Sequence, residues 1–113
     1  MRFLELARVR QSRNQEILAE LGSAYTKLGR HSEGLAVDRE LVRLAPENAT
    51  AHYNLGCSLA LCGETEAALD TLERAVELGY DDAQHLEHDV DLQSLIGEPR
   101  FDALLARLRG KQA

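Results

Sequence analysis

The fold is decided by residues 49–82, ATAHYNLGCSLALCGETEAALDTLERAVELGYDD. Apolar residues recur at helical spacing on both sides of Gly63, which predicts two short amphipathic helices joined by a turn. Shifted back by 34 residues, the pattern falls on residues 15–48, and the identical pairs are Leu21/Leu55, Gly22/Gly56, Gly29/Gly63, Leu35/Leu69, Val42/Val76 and Leu44/Leu78. A repeat of this length indicates stacked helical hairpins, because a single hairpin cannot bury its apolar face alone.

Length and composition favour one all-α domain. The chain has 113 residues, which suits a single domain, and we predict that residues 1–113 form it. Hydrophobic residues make up 44% and charged residues 28%, as in ordinary globular proteins, whereas aromatic residues make up only 4%. Few aromatic residues disfavour a β-rich fold, so we expect helices throughout.

Charge and apolar runs argue against several classes of ligand. The formal net charge is -6, so we expect no binding to nucleic acid or to an anionic membrane surface. No apolar run approaches the ~20 residues of a membrane span, and the N-terminus lacks the apolar core of a signal peptide. Cys57 and Cys62 point to different sides of a helix, and two free thiols fit a reducing compartment. We therefore predict a cytoplasmic protein.

The N-terminal segment allows two interpretations. Residues 1–14 have the spacing of an amphipathic helix. Ser12 and Gln15 fit a capping box, which would restart the helix at that point. No Gly or Pro interrupts residues 3–21, however, so one continuous helix over residues 3–28 is the alternative.

Residues 83–113 depart from the repeat, and we predict that they form a divergent third repeat that caps the array. Val90 stands where a third copy would carry a glycine. Apolar residues nevertheless continue, and those expected to pack inward are Leu92, Leu95, Ile96, Phe101, Leu104, Leu105 and Leu108. A repeat array needs such a terminal cap to stay soluble.

The order of small and large residues in both copies resembles the tetratricopeptide repeat. In the first copy the matching residues are Leu21-Gly22, Tyr25, Gly29, Gly34-Leu35, Leu44 and Pro46. In the second copy they are Leu55-Gly56, Leu59, Gly63, Ala68-Leu69, Ala75 and Leu78. The resemblance implies antiparallel helical hairpins stacked as a short right-handed α-solenoid with a C-terminal capping helix, as in small bacterial repeat proteins. Gly22 and Gly56 are then expected to let the paired helices approach at backbone distance.

The resemblance also implies an adaptor or scaffold that holds a peptide or helix of a partner protein in a concave groove. The positions that face this groove in the family, and that form the candidate site, are Glu16, Glu20, Ser23, Lys27, Tyr53, Asn54, Cys57, Glu87 and His88. Asn54 stands where the family often carries an asparagine that hydrogen-bonds the backbone of a bound peptide. The glutamates favour a ligand that bears Lys or Arg.

Asp38 departs from the family, which usually carries a large aromatic residue at this position. Its carboxylate falls on an apolar stripe, three residues after Leu35. A buried, unpaired carboxylate is costly, so two alternatives remain open. Either the helix rotates until Asp38 reaches solvent, or the carboxylate pairs with an arginine of the N-terminal segment, which would be Arg8, Arg10 or Arg13.

Opposite charges at the two ends of the chain favour self-association as an alternative function without a dedicated peptide ligand. The first thirteen residues carry four arginines and one glutamate, whereas residues 81–91 carry five carboxylates. Such ends favour head-to-tail stacking into a homo-oligomer, or exchange of the N-terminal helix. The residues expected to take part are Arg8, Arg10, Arg13, Asp38, Asp81 and Asp82.

Metal binding and catalysis find little support. His85 and His88 lie one helical turn apart and form a remote candidate for a divalent metal site, but a third ligand is missing. Cys57, His52 and Asp70 could suggest a nucleophile, a base and an orienting carboxylate. His52 and Cys57 are five residues apart, however, about 140° around a helix from each other, which is too far for a base and its nucleophile. We therefore predict no metal, no cofactor and no enzymatic activity.

Overall fold

The structure is a computed structural model that describes the backbone of residues 2–112 and the side chains of residues 13–110. Every regular element within residues 2–112 is helical, which confirms the all-α prediction. In chain order the elements are α1 (Arg2–Lys27), α2 (His31–Leu44), α3 (Ala49–Leu61), α4 (Thr65–Glu77), α5 (Ala83–His88), a 3-10 helix (Val90–Leu95) and α6 (Pro99–Gln112). None of the described helices is both long and apolar enough to cross a membrane.

The first helix is continuous. α1 contains 26 residues without a break, which makes a rod about 39 Å long. The interpretation of one long helix is therefore confirmed, and the prediction of a restart at Ser12 and Gln15 is wrong. The polar residues of this stretch have adequate helix propensity, so polarity alone does not interrupt the helix.

Each of the two hairpins turns at a glycine in the left-handed conformation. Gly29 follows α1 with φ of 77°, and Gly63 follows α3 with φ of 80°. Glycine adopts this conformation without the steric cost that a side chain would add. The backbone N–H of Arg30 then donates to the carbonyl of Tyr25 at 2.9 Å, and the corresponding bond closes the second turn, also at 2.9 Å.

Within each hairpin the two helices approach closely at a second glycine. A methyl group added to Gly56 would lie 2.7 Å from Cδ2 of Leu72. In the first hairpin, a methyl group on Gly22 would lie 2.5 Å from Oδ1 of Asp38. The predicted close approach is thus confirmed in both repeats. Asp38 and Leu72 are 34 residues apart and occupy equivalent positions in the two hairpins.

One hydrophobic core extends through the second repeat and the C-terminal segment. Its largest fully buried side chains are Phe101, Leu69, Leu72, Leu86, Leu92, Leu95, Leu108 and Val76. Helix α6 packs against α4 and α5, as the predicted inward stripe of this helix requires. Ile96 is 64% exposed, so the prediction that it packs inward is wrong. It ends the 3-10 helix in an extended conformation, which takes its side chain off the helical face.

An arginine fastens the last helix to the second repeat. Arg100, in the first turn of α6, pairs with three carboxylates of α4. Its Nη1 lies 2.9 Å from Glu66, and its Nη2 lies 2.5 Å from Asp70 and 2.9 Å from Glu73. The hydrogen bond to Glu73 and the other carboxylates hold the pKa of Arg100 above its ordinary value. One guanidinium thus fixes the position of α6 relative to α4.

The apolar side of α1 is only partly covered. Within the described residues α1 packs mainly against α2. Ile17 and Leu21 remain 51% and 40% exposed on one face of α1, and Leu28, in the turn just after the helix, is 71% exposed. The apolar spacing of this stretch therefore marks an outer surface as well as a buried one. We call these three residues the α1 stripe.

Candidate functional site

A cavity of about 540 Å³ lies where α1, α2 and α3 meet α5 and the 3-10 helix. We call this cavity the groove. Its lining residues are Gly22, Ser23, Thr26, Lys27, Asp38, Tyr53, Asn54, Cys57, Ser58, His85, Asp89, Val90 and Asp91. Helices α1 and α3 are the first helices of the two hairpins, so the groove lies on the side on which consecutive repeats present these helices.

The carboxylate of Asp38 lies in one wall of the groove. Asp38 is 4% exposed, and its Oδ2 accepts a hydrogen bond from the hydroxyl of Ser58, which is also buried. Burial raises the pKa of Asp38, and the hydrogen bond from Ser58 only partly offsets that effect. Gly22 leaves the space that the carboxylate occupies, because any side chain there would collide with Oδ1.

The structure decides between solvent and Arg13 as surroundings of the Asp38 carboxylate, and it describes neither of them there. The prediction that the carboxylate reaches solvent is wrong, since Asp38 is buried at the contact between α2 and α3. Arg13 is exposed, and within the described side chains no ion pair joins it to Asp38. Arg8 and Arg10 lie outside the described side chains. The partner that the structure describes is a neutral hydroxyl on the next repeat.

Asp89 forms the opposite wall of the groove and joins the 3-10 helix to α3. Its Oδ1 accepts a hydrogen bond from the backbone N–H of Asp91 at 2.9 Å, which caps the 3-10 helix. Its Oδ2 accepts from the hydroxyl of Tyr53 at 2.5 Å and from the thiol of Cys57 at 3.7 Å. Burial raises the pKa of both Tyr53 and Cys57, so both groups keep their protons and act as donors.

Two stacked tyrosine rings hold the hydrogen-bonded groups around Asp89 in place. The rings of Tyr53 and Tyr80 lie parallel, with centroids 4.3 Å apart. The ring of His85 is tilted against Tyr53, and its Nε2 lies 3.4 Å from Oδ2 of Asp89. Stacking fixes the direction of the Tyr53 hydroxyl and hence the position of Asp89.

One group within the described residues has the ligand atoms that a metal ion needs. The Sγ of Cys57 and carboxylate oxygens of Asp89 and Asp91 all lie within 4.8 Å of one another. Thiolate and carboxylate ligands suit Zn²⁺, but burial raises the pKa of Cys57, so an ion would first have to displace the thiol proton. In the form described, the three residues belong to a hydrogen-bonded network.

The two histidines that formed the remote metal candidate each contact a different group. His85 faces Asp89, whereas Nδ1 of His88 lies 2.9 Å from the carbonyl oxygen of Gln84 in the same helix. The groups considered for catalysis are also engaged elsewhere. His52 Nε2 lies 2.9 Å from the carbonyl oxygen of Pro46, and Asp70 pairs with Arg100.

Of the candidate groove residues, the structure places Ser23, Lys27, Tyr53, Asn54 and Cys57 in the lining of the groove. Tyr53 and Cys57 are buried in its wall at 4% and 7% exposure, so they present little surface to a ligand. The side chain of Asn54 is partly exposed and makes no hydrogen bond to any described residue. The donor and acceptor groups of its amide are therefore unused within the described residues.

The four other candidate residues are not part of this lining. Glu16 and Glu20 are exposed on α1 outside the groove. Glu87 forms an ion pair with Arg109 of α6, and this pairing lowers the pKa of Glu87. His88 is exposed on the same short helix as Glu87. Their role in binding stays a prediction, and none of the four lines the groove.

The residues expected to mediate self-association are scattered. Asp82 caps α5 by accepting a hydrogen bond from the backbone N–H of His85 at 3.0 Å, and Asp81 is exposed beside it. Arg13 is exposed on α1, and Asp38 is buried in the groove rather than on an outer face.

Sequence reasoning missed several groove residues, chiefly Ser58, His85, Asp89 and Asp91. The pattern of Asp89 followed by Asp91 carried a local signal, because an aspartate at the start of a short helix is a common cap. The contact between Tyr53 and Asp89 had no local signal, since it spans 36 residues.

Comparisons with known proteins agree with this architecture. The family model described as "Tetratricopeptide repeat" matches residues 15–48 and 49–79. The chain is 31% identical over 87 residues to a protein of Arabidopsis thaliana whose name marks it as "chloroplastic", a match that covers 74% of this chain and 26% of that protein. It is 35% identical over 89 residues to "Protein CTR9 homolog" of Arabidopsis thaliana, with 79% of this chain and 8% of that protein covered. The matches thus span about a quarter of the first relative and under a tenth of the second.

Proposed function

Because the chain belongs to the tetratricopeptide repeat family, whose repeats are non-catalytic modules of protein–protein interaction, we propose that it holds an extended peptide segment of a partner protein in the groove. In this proposal the chain acts by binding and carries out no reaction. It serves as an adaptor or scaffold, and a peptide is recognised through its backbone and a small number of side chains.

The observation that carries the proposal is a groove with unused hydrogen-bonding groups. Its volume of about 540 Å³ falls within the range of ordinary ligand pockets. The amide of Asn54 has no hydrogen-bond partner among the described residues and can both donate to and accept from a peptide unit. The wall beside it is rigid, because Tyr53 is stacked and hydrogen-bonded. A preformed wall lowers the entropic cost of binding.

The test uses a displayed library of random peptides and three forms of the full chain: the wild type, Asn54→Ala and the control Asn14→Ala. Asn14 is exposed on α1 outside the groove lining, so the control removes the same side chain elsewhere. We expect the wild type to enrich peptides that lose about ten-fold or more in affinity for Asn54→Ala and keep it for Asn14→Ala. Circular dichroism checks that each variant folds.

Two results would contradict the proposal. The first is a library from which the wild type enriches no peptide. The second is a set of enriched peptides that bind Asn54→Ala as tightly as the wild type, because their site would then lie outside the groove.

Self-association is a second candidate function, and the α1 stripe favours it. Ile17 and Leu21 expose apolar surface on one face of α1, and Leu28 exposes more in the turn that follows, so a second copy of the chain can pack there. Light scattering distinguishes association through the α1 stripe from association through the charged ends of the chain. Association through the stripe persists at high salt and is lost in Ile17→Gln/Leu21→Gln, whereas association through charges is lost at high salt. A wild type that is monomeric at high concentration in both low and high salt contradicts both routes.

A further inference from the structure

We propose that the groove accepts the cationic side chain of a bound peptide, a lysine or an arginine, between Asp38 on one wall and Asp89 and Asp91 on the other. This inference rests on the proposed function, because it names the class of side chain that the groove selects. It differs from the expectation drawn from Glu16 and Glu20, since neither of those glutamates lines the groove.

Asp38 supplies a carboxylate oxygen that lacks a donor. Oδ2 is used by Ser58, whereas Oδ1 has no hydrogen-bond partner among the described residues. Asp38 is only 4% exposed, and it lines the groove. Oδ1 is not fully enclosed and accepts from no donor within the described residues, so an N–H group of a ligand in the groove can donate to it.

The opposite wall adds two carboxylates that repel each other. Oxygens of Asp89 and Asp91 lie within 4.8 Å of each other. Asp89 is held in place by Tyr53 and its own cap, whereas the carboxylate of Asp91 has no hydrogen bond within the described residues. Burial, and then the charge of Asp89, raise the pKa of Asp91. A cation between the two walls relieves this repulsion.

The groove lining contains more carboxylates than lysine or arginine side chains, so it can accept an added cation. Among the described lining residues, three carboxylates face a single lysine, Lys27, which is exposed. Two histidines also face the acidic wall: His85 lies beside Asp89, and His31 lowers the pKa of Asp91 by its charge. Among the Asp, Glu, Lys and Arg side chains of the lining, three carboxylates stand against one lysine.

An organic cation fits these groups better than a metal ion does. Ammonium and guanidinium groups are donors only, and the groove offers acceptors that lack donors. A metal ion needs the thiolate of Cys57, but that thiol keeps its proton and donates to Asp89. Zn²⁺ is therefore the rival to include in the experiment.

The experiment uses position-scanning hexapeptide libraries, in which one position at a time is fixed and the others are random. The fixed residue is Arg, citrulline, Lys or acetyl-lysine, so each cation is compared with a neutral analogue of similar size. The proteins are the wild type, Asp38→Asn, Asp91→Asn and the control Asp102→Asn, whose exposed carboxylate lies on α6 outside the groove. Binding is followed by fluorescence anisotropy with and without Zn²⁺ in excess.

We expect the Arg or the Lys library to bind the wild type about ten-fold more tightly than its neutral analogue at one position, and the two arms show which cation is preferred. Asp38→Asn and Asp91→Asn lose this preference while still binding the neutral libraries, and Asp102→Asn keeps it. Equal binding of cationic and neutral libraries overturns the inference and leaves the proposed function standing. Tight Zn²⁺ binding by a wild type that shows no cationic preference would identify a metal ion as the ligand instead. Failure of every library to bind contradicts the proposed function itself.

Discussion

The hydroxyl of Ser58 on α3 donates a hydrogen bond to the buried carboxylate of Asp38 on α2, and this bond crosses from the first repeat to the second. In the second repeat the position equivalent to Asp38 is filled by Leu72, which packs on Gly56 as Asp38 packs on Gly22. The same backbone frame therefore carries a polar contact in one hairpin and an apolar contact in the other. This difference distinguishes Asp38, in the wall of the groove, from an ordinary core residue.

Removing the hydroxyl of Ser58 should destabilise the fold. Ser58→Ala leaves the carboxylate of Asp38 buried without its donor, which we expect to lower the free energy of unfolding by about 1 to 3 kcal/mol. Urea unfolding gives this value, and Ser94→Ala is the control because Ser94 is exposed on the 3-10 helix. The loss should shrink in an Asp38→Leu background. Equal losses in both backgrounds would show that the two side chains are not coupled.

Neutralising Asp38 should stabilise the fold in a pH-dependent manner. Burial raises the folded-state pKa of Asp38 above its ordinary value of 3.8, so the ionised carboxylate opposes folding at neutral pH. Asp38→Asn should therefore unfold with a free energy about 1 to 2 kcal/mol higher at pH 7. The advantage should fade as the pH falls towards 3.8, where the wild-type carboxyl is increasingly protonated in both states. A difference that is constant over this range would argue against the raised pKa.

Two helical glycines should respond in opposite ways to the same substitution. Gly56→Ala places a methyl group 2.7 Å from Leu72, so we expect a loss of about 1 to 3 kcal/mol through overpacking. Gly110→Ala meets nothing within 4 Å and should gain up to about 1 kcal/mol from helix propensity. Thermal unfolding of both variants beside the wild type checks the signs. Stabilisation by Gly56→Ala would mean that α3 and α4 are not in close contact there.

The ion cluster of Arg100 should make the docking of α6 sensitive to salt. Arg100→Gln leaves Glu66, Asp70 and Glu73 without their shared cation, so the variant should be less stable than the wild type in low salt. All four side chains are at least partly exposed, so added salt should reduce the difference. Arg74→Gln, which removes a pair within α4 alone, is the matched control. A salt-independent loss would indicate that the packing of the Arg100 stem dominates.

How far the sequence predicted the structure depends on the range of each interaction. The turns at Gly29 and Gly63 could be predicted, because a helix that ends at a glycine is a local pattern. The close helix contact at Gly56 could be predicted because the glycine at the same position of the first repeat has the same role. Groove residues could be predicted only at positions that the resemblance to the repeat family covers, such as Asn54. The wall formed by Asp89 was not, because it depends on a 3-10 helix outside the repeat and on a bond to Tyr53 that spans 36 residues.

Burial could not be predicted from spacing alone. Ile17 and Leu21 have the helical spacing of core residues, but whether that face is covered depends on which element packs there. Asp38 presents the reverse case, because its residue type predicts exposure. The space above Gly22 and the donor of Ser58 allow it to be buried. In both cases the deciding partner lies on another element.

Replacing the polar pair by apolar residues should separate stability from recognition. In Asp38→Leu/Ser58→Ala the leucine can pack on Gly22 as Leu72 packs on Gly56, and no buried carboxylate remains. Because buried charged groups are often less stabilising than apolar ones of similar size, we expect the free energy of unfolding to rise by about 1 to 4 kcal/mol. The same variant should lose the preference for a cationic side chain, because Oδ1 of Asp38 is gone.

Urea unfolding and the scanning libraries test both parts on one protein. Asp102→Leu/Ser94→Ala, a double change at two exposed residues outside the groove, controls for effects of removing a carboxylate and a hydroxyl as such. A variant that is more stable and has lost the cationic preference would show that Asp38 is kept for binding at a cost in stability. A variant that is less stable than the wild type would instead mean that the bond between Ser58 and Asp38 holds the two repeats together, and the raised pKa of Asp38 would then not reflect a net cost of its burial.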